Sequence, residues 1–193
     1  MIATLTTMPQ TTQSSISRTP SLVSGLDAFG LSNQASSLAR SGDLAGAERL
    51  HLQALDVKVN GFGFQSPQVA STLHSLAEVQ MRLGKFGDAE RNLRSAVSIR
   101  SSSSKQHDLV EAAKSRELLA QILESNGNLS AAKNVRLAGQ SEWIACGNSK
   151  CPVQCFSIEQ LSHCGQCRSV LYCSGDCQAR DWKARHRLYC RAT

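Results

Sequence analysis

Apolar residues between positions 30 and 142 recur at the three- and four-residue spacing that is typical of amphipathic helices. Three successive stretches carry such a stripe: Leu50, Leu52 and Leu55; Leu73, Leu76, Val79 and Leu83; and Leu118, Leu119, Ile122 and Leu123. Each stretch predicts a helical hairpin that cannot bury its apolar face alone. Stacking of the three hairpins would therefore form one continuous core.

Three glycines punctuate this region at nearly equal intervals. Gly42, Gly84 and Gly127 are 42 and 43 residues apart. Glycine can end a helix by adopting a positive φ, and small residues let two helices cross closely. Small residues recur at matched positions around the glycines: Ala35, Ala47 and Ala54; Ala77, Ala89 and Ala96; and Ala120, Ala132 and Gly139. Self-similarity at a fixed period indicates a solenoid of repeated hairpins.

Two breaks are predicted between the hairpins. The first runs from Asn60 to Pro67 and contains Asn60-Gly61, a dipeptide that favours turns, followed by Gly63. The second is the serine run Ser101–Ser104. Both breaks suit loops in a repeat that is longer than 34 residues.

The segment Val69-Ala70-Ser71-Thr72-Leu73-His74-Ser75-Leu76-Ala77, followed by Leu83-Gly84-Lys85-Phe86-Gly87-Asp88-Ala89-Glu90, resembles the tetratricopeptide repeat, closest to its kinesin-light-chain type. The resemblance covers about 110 residues; the second repeat matches well and the third poorly. It implies a concave surface that binds peptides or other proteins. The alternative is a plain helical bundle whose glycines coincide by chance.

The amino-terminal segment has the composition of a disordered tail. Residues 1–26 contain no acidic residue, and eleven of the first 25 are Ser or Thr. We therefore predict a Ser/Thr-rich disordered tail over residues 1–29. A mitochondrial transit peptide would need more arginines than Arg18 alone. Since no apolar run suits a signal peptide or a membrane span, we expect a cytoplasmic or nuclear protein without membrane partners.

All eight cysteines fall between Cys146 and Cys190. In a reducing compartment, clustered cysteines with a nearby histidine indicate a metal site rather than disulfides. Two structural zinc ions need eight ligands, because zinc prefers four thiolate or imidazole ligands in a tetrahedron. Nine candidates are present: Cys146, Cys151, Cys155, Cys164, Cys167, Cys173, Cys177, His186 and Cys190.

Local spacing suggests pairs among these candidates. Cys164-Gly165-Gln166-Cys167 has the form of a zinc knuckle, in which the glycine would ease a tight turn. His186 and Cys190 are four residues apart in the run 178–191, which we interpret as a helix, so both could bind one ion. Spacing alone does not decide between two sequential sites and two interleaved ones.

The elements Tyr172-Cys173-Ser174, Cys177-Gln178, Asp181-Trp182, His186 and Cys190, preceded by Cys164-x2-Cys167, closely resemble the MYND-type zinc finger. The resemblance covers residues 146–190 and implies a cross-brace of two zinc sites. One site would comprise Cys146, Cys151, Cys173 and Cys177, and the other Cys164, Cys167, His186 and Cys190. The first pair could be Cys146/Cys151 or Cys151/Cys155; the Cys-x-Asn-x-x-Cys opening of some members favours the former and leaves Cys155 spare.

The fold class expected is mainly α, with a tetratricopeptide-like helical-hairpin array over residues 30–142 and a small cross-braced two-zinc finger over residues 143–193. A catalytic zinc keeps an open coordination position, whereas both predicted sites can be filled by protein ligands. We therefore expect structural zinc and no enzymatic activity. The MYND resemblance implies that Ser174, Gln178 and Trp182 bind a short proline-containing peptide, although Trp182 could instead serve the core.

The function expected is that of a zinc-binding adaptor or scaffold for other proteins, with transcriptional regulation as one setting. One alternative is DNA binding by the basic carboxyl-terminal helix, which carries Arg180, Lys183, Arg185, Arg187 and Arg191. The formal charge of +6 would fall to about +3 with two zinc ions on seven thiolates, which weakens that alternative. A second alternative is a non-catalytic relative of SET-domain methyltransferases, since this chain has no room for the methyltransferase domain.

Overall fold

Six helices pack as three consecutive antiparallel hairpins in the computed structural model, which describes residues 23–139 and 143–191. The first hairpin is α1 (Val23–Ser41) and α2 (Leu44–Phe62). The second is α3 (Pro67–Arg82) and α4 (Phe86–Ser101), and the third is α5 (Gln106–Ser125) and α6 (Leu129–Leu137). The predicted array of helical hairpins is confirmed.

The turn inside each hairpin forms at the predicted glycine. Gly42, Gly84 and Gly127 have φ values of 97°, 75° and 78°, a region that residues with a Cβ rarely adopt. All eight alanines at the matched positions are completely buried. At the ninth position, a Cβ on Gly139 would lie 2.1 Å from the Arg116 guanidinium. The sequence period therefore marks both the turns and a set of completely buried small residues.

The loops between hairpins differ in part from the prediction. Helix α2 continues through Asn60-Gly61 to Phe62, so the turn predicted at this dipeptide is wrong. The helix ends at Gly63, whose φ is 79°, and Ser66 then caps α3 by accepting a hydrogen bond from Val69 N at 3.4 Å. The predicted serine break is confirmed, because it separates α4 from α5.

The core of the array consists of small apolar side chains packed around longer ones. Leu73, Leu76, Val79 and Leu93 are buried between the hairpins. Leu52 is 48% exposed, so its assignment to the first apolar stripe is wrong. Helix α1 begins at Val23, before the predicted end of the tail at residue 29; residues 1–22 lie outside the described residues. None of the described helices has the length and apolar character needed to cross a membrane.

Alanine substitutions at Gly84 and Gly61 should change stability in opposite directions. A Cβ would meet no atom within 4 Å at either position. Gly84→Ala should lower the free energy of unfolding by about 1 kcal/mol, because its φ is positive. Gly61→Ala should raise it by up to about 1 kcal/mol, because Gly61 is helical. Urea denaturation of the two variants measures both signs, and stabilisation by Gly84→Ala would contradict the turn assignment.

The carboxyl-terminal unit contains two small β-hairpins and one helix. β1 (Ile144–Ala145) pairs antiparallel with β2 (Cys155–Phe156), and β3 (Ser162–His163) pairs antiparallel with β4 (Leu171–Tyr172). Helix α7 (Gly175–Ala184) follows, and a 3-10 turn comprises His186–Leu188. The predicted helix over residues 178–191 is wrong at its end, because Arg185, with φ −154°, breaks it.

The unit packs directly against the third hairpin. Helix α5 contacts both β1 and β2, and α6 contacts β1. Leu137 of α6 packs against an apolar cluster formed by Ile144, Leu161 and Leu171. Arg116 of α5 donates a hydrogen bond to the Trp143 carbonyl at 3.0 Å. Side chains from both units thus form one continuous interior at this junction.

Candidate metal centre

Four cysteine sulfurs converge between the first β-hairpin and α7. The ligand atoms of Cys146, Cys151, Cys173 and Cys177 all lie within 4.8 Å of one another. Cys151 Sγ is 3.7 Å from Cys173 Sγ, and Cys173 Sγ is 3.6 Å from Cys177 Sγ. We call this group cluster 1.

A second group forms between the other β-hairpin and the end of the chain. The ligand atoms of Cys164, Cys167, His186 and Cys190 also lie within 4.8 Å of one another, and all four residues are buried. Cys164 Sγ is 3.8 Å from Cys190 Sγ, and Cys167 Sγ is 3.5 Å from His186 Nε2. We call this group cluster 2.

The spacing of these atoms fits tetrahedral zinc. Zn–S bonds of about 2.3 Å and Zn–N bonds of about 2.0 Å imply S–S edges of about 3.8 Å and S–N edges of about 3.5 Å. The observed S–S distances are 3.6–3.8 Å, and the S–N distance is 3.5 Å. All eight cysteines are free thiols, so disulfides do not hold these sulfurs together. The donors and their geometry therefore fit two structural zinc ions.

The two clusters are interleaved along the chain. Cluster 1 takes the first and third cysteine pairs, and cluster 2 takes the second pair together with His186 and Cys190. Cys155 belongs to neither cluster; its thiol instead lies 3.7 Å from the Val110 carbonyl of α5. His163 is exposed on β3. The structure thus brings together the eight predicted residues and separates the spare candidate, Cys155, from them.

Backbone hydrogen bonds hold the second cysteine pair in place. Cys164 N donates to the Val170 carbonyl at 2.8 Å, and Arg168 N donates to the Cys164 carbonyl at 3.0 Å. The residue with positive φ in this turn is Arg168, at 52°, and not the predicted Gly165. Helix α7 positions Cys177, because the Ser174 hydroxyl at its amino terminus accepts a hydrogen bond from Cys177 N at 3.2 Å.

Asn148 supports cluster 1 from outside the ligand set. Its buried side chain accepts a hydrogen bond from Lys150 N at 3.1 Å, and its Nδ2 lies 3.4 Å from Cys177 Sγ. Burial alone would raise the pKa of Cys177, but this donor and the neighbouring thiols lower it to about 7. An N–H donor of this kind stabilises a thiolate. Sequence reasoning used Asn148 only as part of a spacing pattern and missed this role.

Burial raises the pKa of three other thiols in the two clusters, those of Cys146, Cys173 and Cys190. Burial raises the pKa of Cys190 to about 12, with Cys167 nearby adding to the effect, and burial also raises the pKa of Cys146. A bound dication would stabilise the thiolate form of these cysteines and so lower their pKa values. Cluster stability should therefore depend on the metal.

The proposed peptide-binding residues lie along one face of α7. Ser174, Gln178 and Trp182 follow one another at four-residue intervals, which places them on the same side of a helix. Trp182 is 38% exposed, and its ring lies 5.8 Å from the His186 ring in an edge-to-face contact. Trp182 thus contacts a candidate zinc ligand with one part of its indole and presents another part to solvent.

A buried ion-pair network joins the metal centre to the third hairpin. Arg136 of α6 makes a two-pronged contact with Glu117, at 2.6 and 3.0 Å, and contacts Glu124 at 2.9 Å. Arg185, next to ligand candidate His186, contacts Glu124 at 2.5 Å and Asp181 at 3.2 Å. The Arg136 side chain is only 1% exposed and that of Glu124 is completely buried.

The network also contacts the framework of the finger. Arg136 Nη1 donates to the Ser169 carbonyl and hydroxyl at 3.2 and 3.1 Å, and the Tyr172 hydroxyl donates to Asp181 at 2.7 Å. Burial would raise the pKa of Glu124, but Arg136 and Arg185 lower it below its usual value. Its contribution to stability is therefore present at neutral pH and is lost as the pH falls through that lowered pKa.

Family comparisons agree with this architecture. A model of the tetratricopeptide repeat matches residues 27–102, which span the first two hairpins. A model of the MYND finger matches residues 145–190, which span both clusters. No curated protein matches the chain. The third hairpin, which carries Glu117, Glu124 and Arg136, lies outside both matches.

Proposed function

We propose that this chain, which combines tetratricopeptide repeats with a MYND finger, is a zinc-dependent adaptor that binds other proteins. Both modules are typically non-catalytic interaction modules. The observation that carries this proposal is the pair of four-ligand clusters beside an exposed tryptophan. We place such an adaptor in the cytoplasm or nucleus, with transcriptional regulation as one setting.

Two zinc ions would have a structural role here. Cys146, Cys151, Cys173 and Cys177 would hold one ion, and Cys164, Cys167, His186 and Cys190 the other. Four protein ligands per ion leave no coordination position for a substrate or an activated water. The chain's own residues would then orient a binding surface rather than carry out a reaction.

The surface along α7 suits a proline-containing peptide. The exposed part of Trp182 offers a flat apolar face, on which a proline ring can pack. Gln178, one helical turn earlier, is half-buried and offers an amide for the peptide backbone. A polyproline-like segment suits such a surface, because it loses little conformational entropy on binding.

The basic side chains of this region favour nucleic acid less than their number suggests. Arg185 is committed to Glu124 and Asp181 within the ion-pair network. Arg191 donates hydrogen bonds to the carbonyls of Leu188 and Cys190. Because α7 ends at Ala184, Arg187 and Arg191 do not continue one basic helix with Arg180 and Lys183. These contacts weigh against a groove-binding recognition helix.

Trp182→Ala should weaken binding of a proline-rich peptide at least tenfold while both zinc ions are retained. The loss follows from removal of the apolar face that proline would contact. Fluorescence anisotropy with a labelled proline-rich peptide library, alongside elemental analysis of zinc, measures both quantities. Gln178→Ala is a second variant that leaves the contact between Trp182 and His186 intact, and we expect it to weaken binding several-fold.

Leu188→Ala is the matched control for loss of an exposed apolar side chain. Leu188 is 57% exposed and lies in the same unit, in the 3-10 turn His186–Leu188 that follows α7. Its substitution should leave peptide binding unchanged. Equal binding by wild type, Trp182→Ala and Gln178→Ala would refute the peptide surface, and zinc loss in Trp182→Ala alone would assign this tryptophan to the core.

A further inference from the structure

A cavity of about 380 Å³ lies in the finger, between α7 and the loop that joins β1 to β2. The loop contributes Ser149 and Lys150, and α7 contributes Arg180 and Lys183. All four residues are exposed. The cysteines of cluster 1 are not among the described residues that line this cavity. A ligand could therefore enter it from solvent without displacing a zinc ligand.

Three cations share the cavity without an anionic partner. Among the described residues, no carboxylate oxygen lies within 4.0 Å of Lys150, Arg180 or Lys183. The one carboxylate among the described lining residues is that of Asp181, which is buried and pairs with Arg185 at 3.0 Å. The four cations and one carboxylate of this lining leave a net charge of +3.

The helix dipole accounts for only part of this charge. Lys183 lies in the last turn of α7, where a cation stabilises the carboxyl end of a helix. Lys150 comes from the loop, so its position in the same cavity has no such explanation. Like charges that line one concave surface repel each other and attract anions. The binding of an anion would relieve this repulsion.

The loop wall of the cavity is fixed by hydrogen bonds and by cluster 1. Lys150 N donates to Asn148 Oδ1 at 3.1 Å, and Cys151 N donates to the Asn148 carbonyl at 2.9 Å. Cys146 and Cys151, on either side of these residues, both belong to cluster 1. The cavity is therefore formed before a ligand arrives, which lowers the entropic cost of binding.

A phosphate monoester suits this charge better than a carboxylate does. It carries nearly two negative charges at neutral pH and has three acceptor oxygens, so it can contact cations from both walls at once. The Arg180 guanidinium can donate two parallel hydrogen bonds to such a group, and the Ser149 hydroxyl offers another donor. A carboxylate has a single charge and two oxygens, and it would leave more of the positive charge uncompensated.

We propose that this cavity binds the phosphate of a phosphorylated side chain in a partner protein. Nucleic acid presents a row of phosphates, whereas these cations surround a single cavity. The inference rests on the proposed role of the finger as a protein-binding module. At 3.6 residues per turn, Ala184 in the cavity lies about 160° around α7 from Trp182. The phosphate site and the proline-binding face are thus on different sides of α7, and each can fail without the other.

Arg180→Gln/Lys183→Gln tests the proposal in the zinc-loaded full chain. The probe is acetyl-Ala-Ala-phosphoserine-Ala-Ala-amide, which contains no proline, titrated at fixed ionic strength and followed by the amide NMR signals of Ser149 and Lys150. Wild type should bind saturably, and the double variant should bind about tenfold more weakly, because two of the three unpaired cations are removed. Equal binding by the two proteins would overturn the proposal.

Lys150→Gln tests the other wall of the cavity. It should weaken binding several-fold, as followed by the amide signal of Arg180, and it preserves the test if the double variant does not fold. Elemental analysis should give two zinc ions in each variant, since the substituted residues are exposed. Unchanged binding by Lys150→Gln would contradict a phosphate site that is shared by the loop and α7.

Arg168→Gln/Arg187→Gln is the matched control for net charge. It removes two cations from exposed positions of the finger that do not line the cavity. Its affinity for the phosphopeptide should equal that of wild type. A loss as large as that of Arg180→Gln/Lys183→Gln would indicate a general effect of charge and would overturn the assignment to this cavity.

Further ligands test the chemistry of the site. The unphosphorylated pentapeptide should not bind, and a version with aspartate in place of phosphoserine should bind about fivefold more weakly than the phosphopeptide. Equal binding of the aspartate version would overturn the choice of phosphate over carboxylate. Tighter binding of inorganic phosphate or of a short duplex DNA, seen at the same amide signals, would overturn the assignment to a phosphorylated protein.

Discussion

Removal of zinc should unfold residues 143–191 and leave the first two hairpins folded. The finger has only two-residue strands, and cysteines make up most of the larger apolar cluster within it. A unit of this size cannot bury enough apolar surface to fold alone. Structural zinc contributes roughly 10–16 kcal/mol in zinc-finger peptides, so its loss exceeds the stability of such a unit. The core of the first two hairpins contains no cysteine.

Chelation by a strong zinc ligand, followed by NMR and circular dichroism, measures this outcome. Elemental analysis should first give two zinc ions per chain. The amide signals of the finger should then collapse to the random-coil region, while those of α1 to α4 remain dispersed. Helical ellipticity should fall only modestly, because α7 has 10 residues and the array carries most of the helix. A dispersed finger after complete zinc removal would contradict a structural role for the metal.

Cys146→Ser and Cys155→Ser form a matched pair for the same question. Cys146 lies in cluster 1, whereas Cys155 lies against Val110 of α5. Cys146→Ser should lower zinc content and disturb both sites, because the cysteines of cluster 1 lie on either side of Cys164 and Cys167 along the chain. Cys155→Ser should retain two zinc ions. Zinc loss from Cys155→Ser would show that the ligand set is wrong.

The helical array was largely predictable because its determinants are local. A glycine with positive φ and an alanine at a helix crossing leave a regular trace in the sequence, and Gly42, Gly84 and Gly127 all form the expected turns. The turn predicted at Asn60-Gly61 was wrong, because the helical preference of the rest of α2 outweighs the turn preference of this dipeptide. The carboxyl-terminal helix was predicted to be too long for a similar reason. The residues around Arg185 favour helix, but α7 ends at Ala184, where the chain turns to bring His186 and Cys190 into cluster 2.

The junction between the array and the finger could not be predicted from the sequence. Glu117, Glu124 and Arg136 look like ordinary surface charges on amphipathic helices. The finger packs on α5 and α6 around these buried side chains and supplies Arg185 as a partner of Glu117 and Glu124. A helical stripe or a zinc knuckle is recognised by the spacing of its residues in the sequence, whereas no such spacing predicts which distant charges form an ion pair.

Arg136→Met should lower the free energy of unfolding by about 3–5 kcal/mol, the range found when one partner of a buried ion pair is removed. Methionine has a similar length, so little packing is lost. Among the described residues, the substitution leaves Arg185 as the one cation paired with the buried carboxylates of Glu117 and Glu124. It also removes the hydrogen bonds to Ser169, which tie the finger to α6. Urea denaturation of the zinc-loaded chain measures the loss.

Arg94→Met is the control for the loss of an arginine–glutamate pair as such. Arg94 contacts Glu90 at 2.7 Å on the surface of α4, where solvent screens the pair. Its substitution should cost less than about 1 kcal/mol. A similar small cost for Arg136→Met would mean that the network does not couple the two units.

The double variant Arg136→Met/Glu124→Gln decides whether the loss arises from unpaired charge or from lost packing. Removing a carboxylate together with its cation relieves the unpaired buried charge, so part of the stability should return. If packing were the cause, the two substitutions would add. Recovery would mean that the finger orients the third hairpin through charge pairing. A partner bound on the helical array and one bound on α7 would then be held at a fixed relative position, as an adaptor requires.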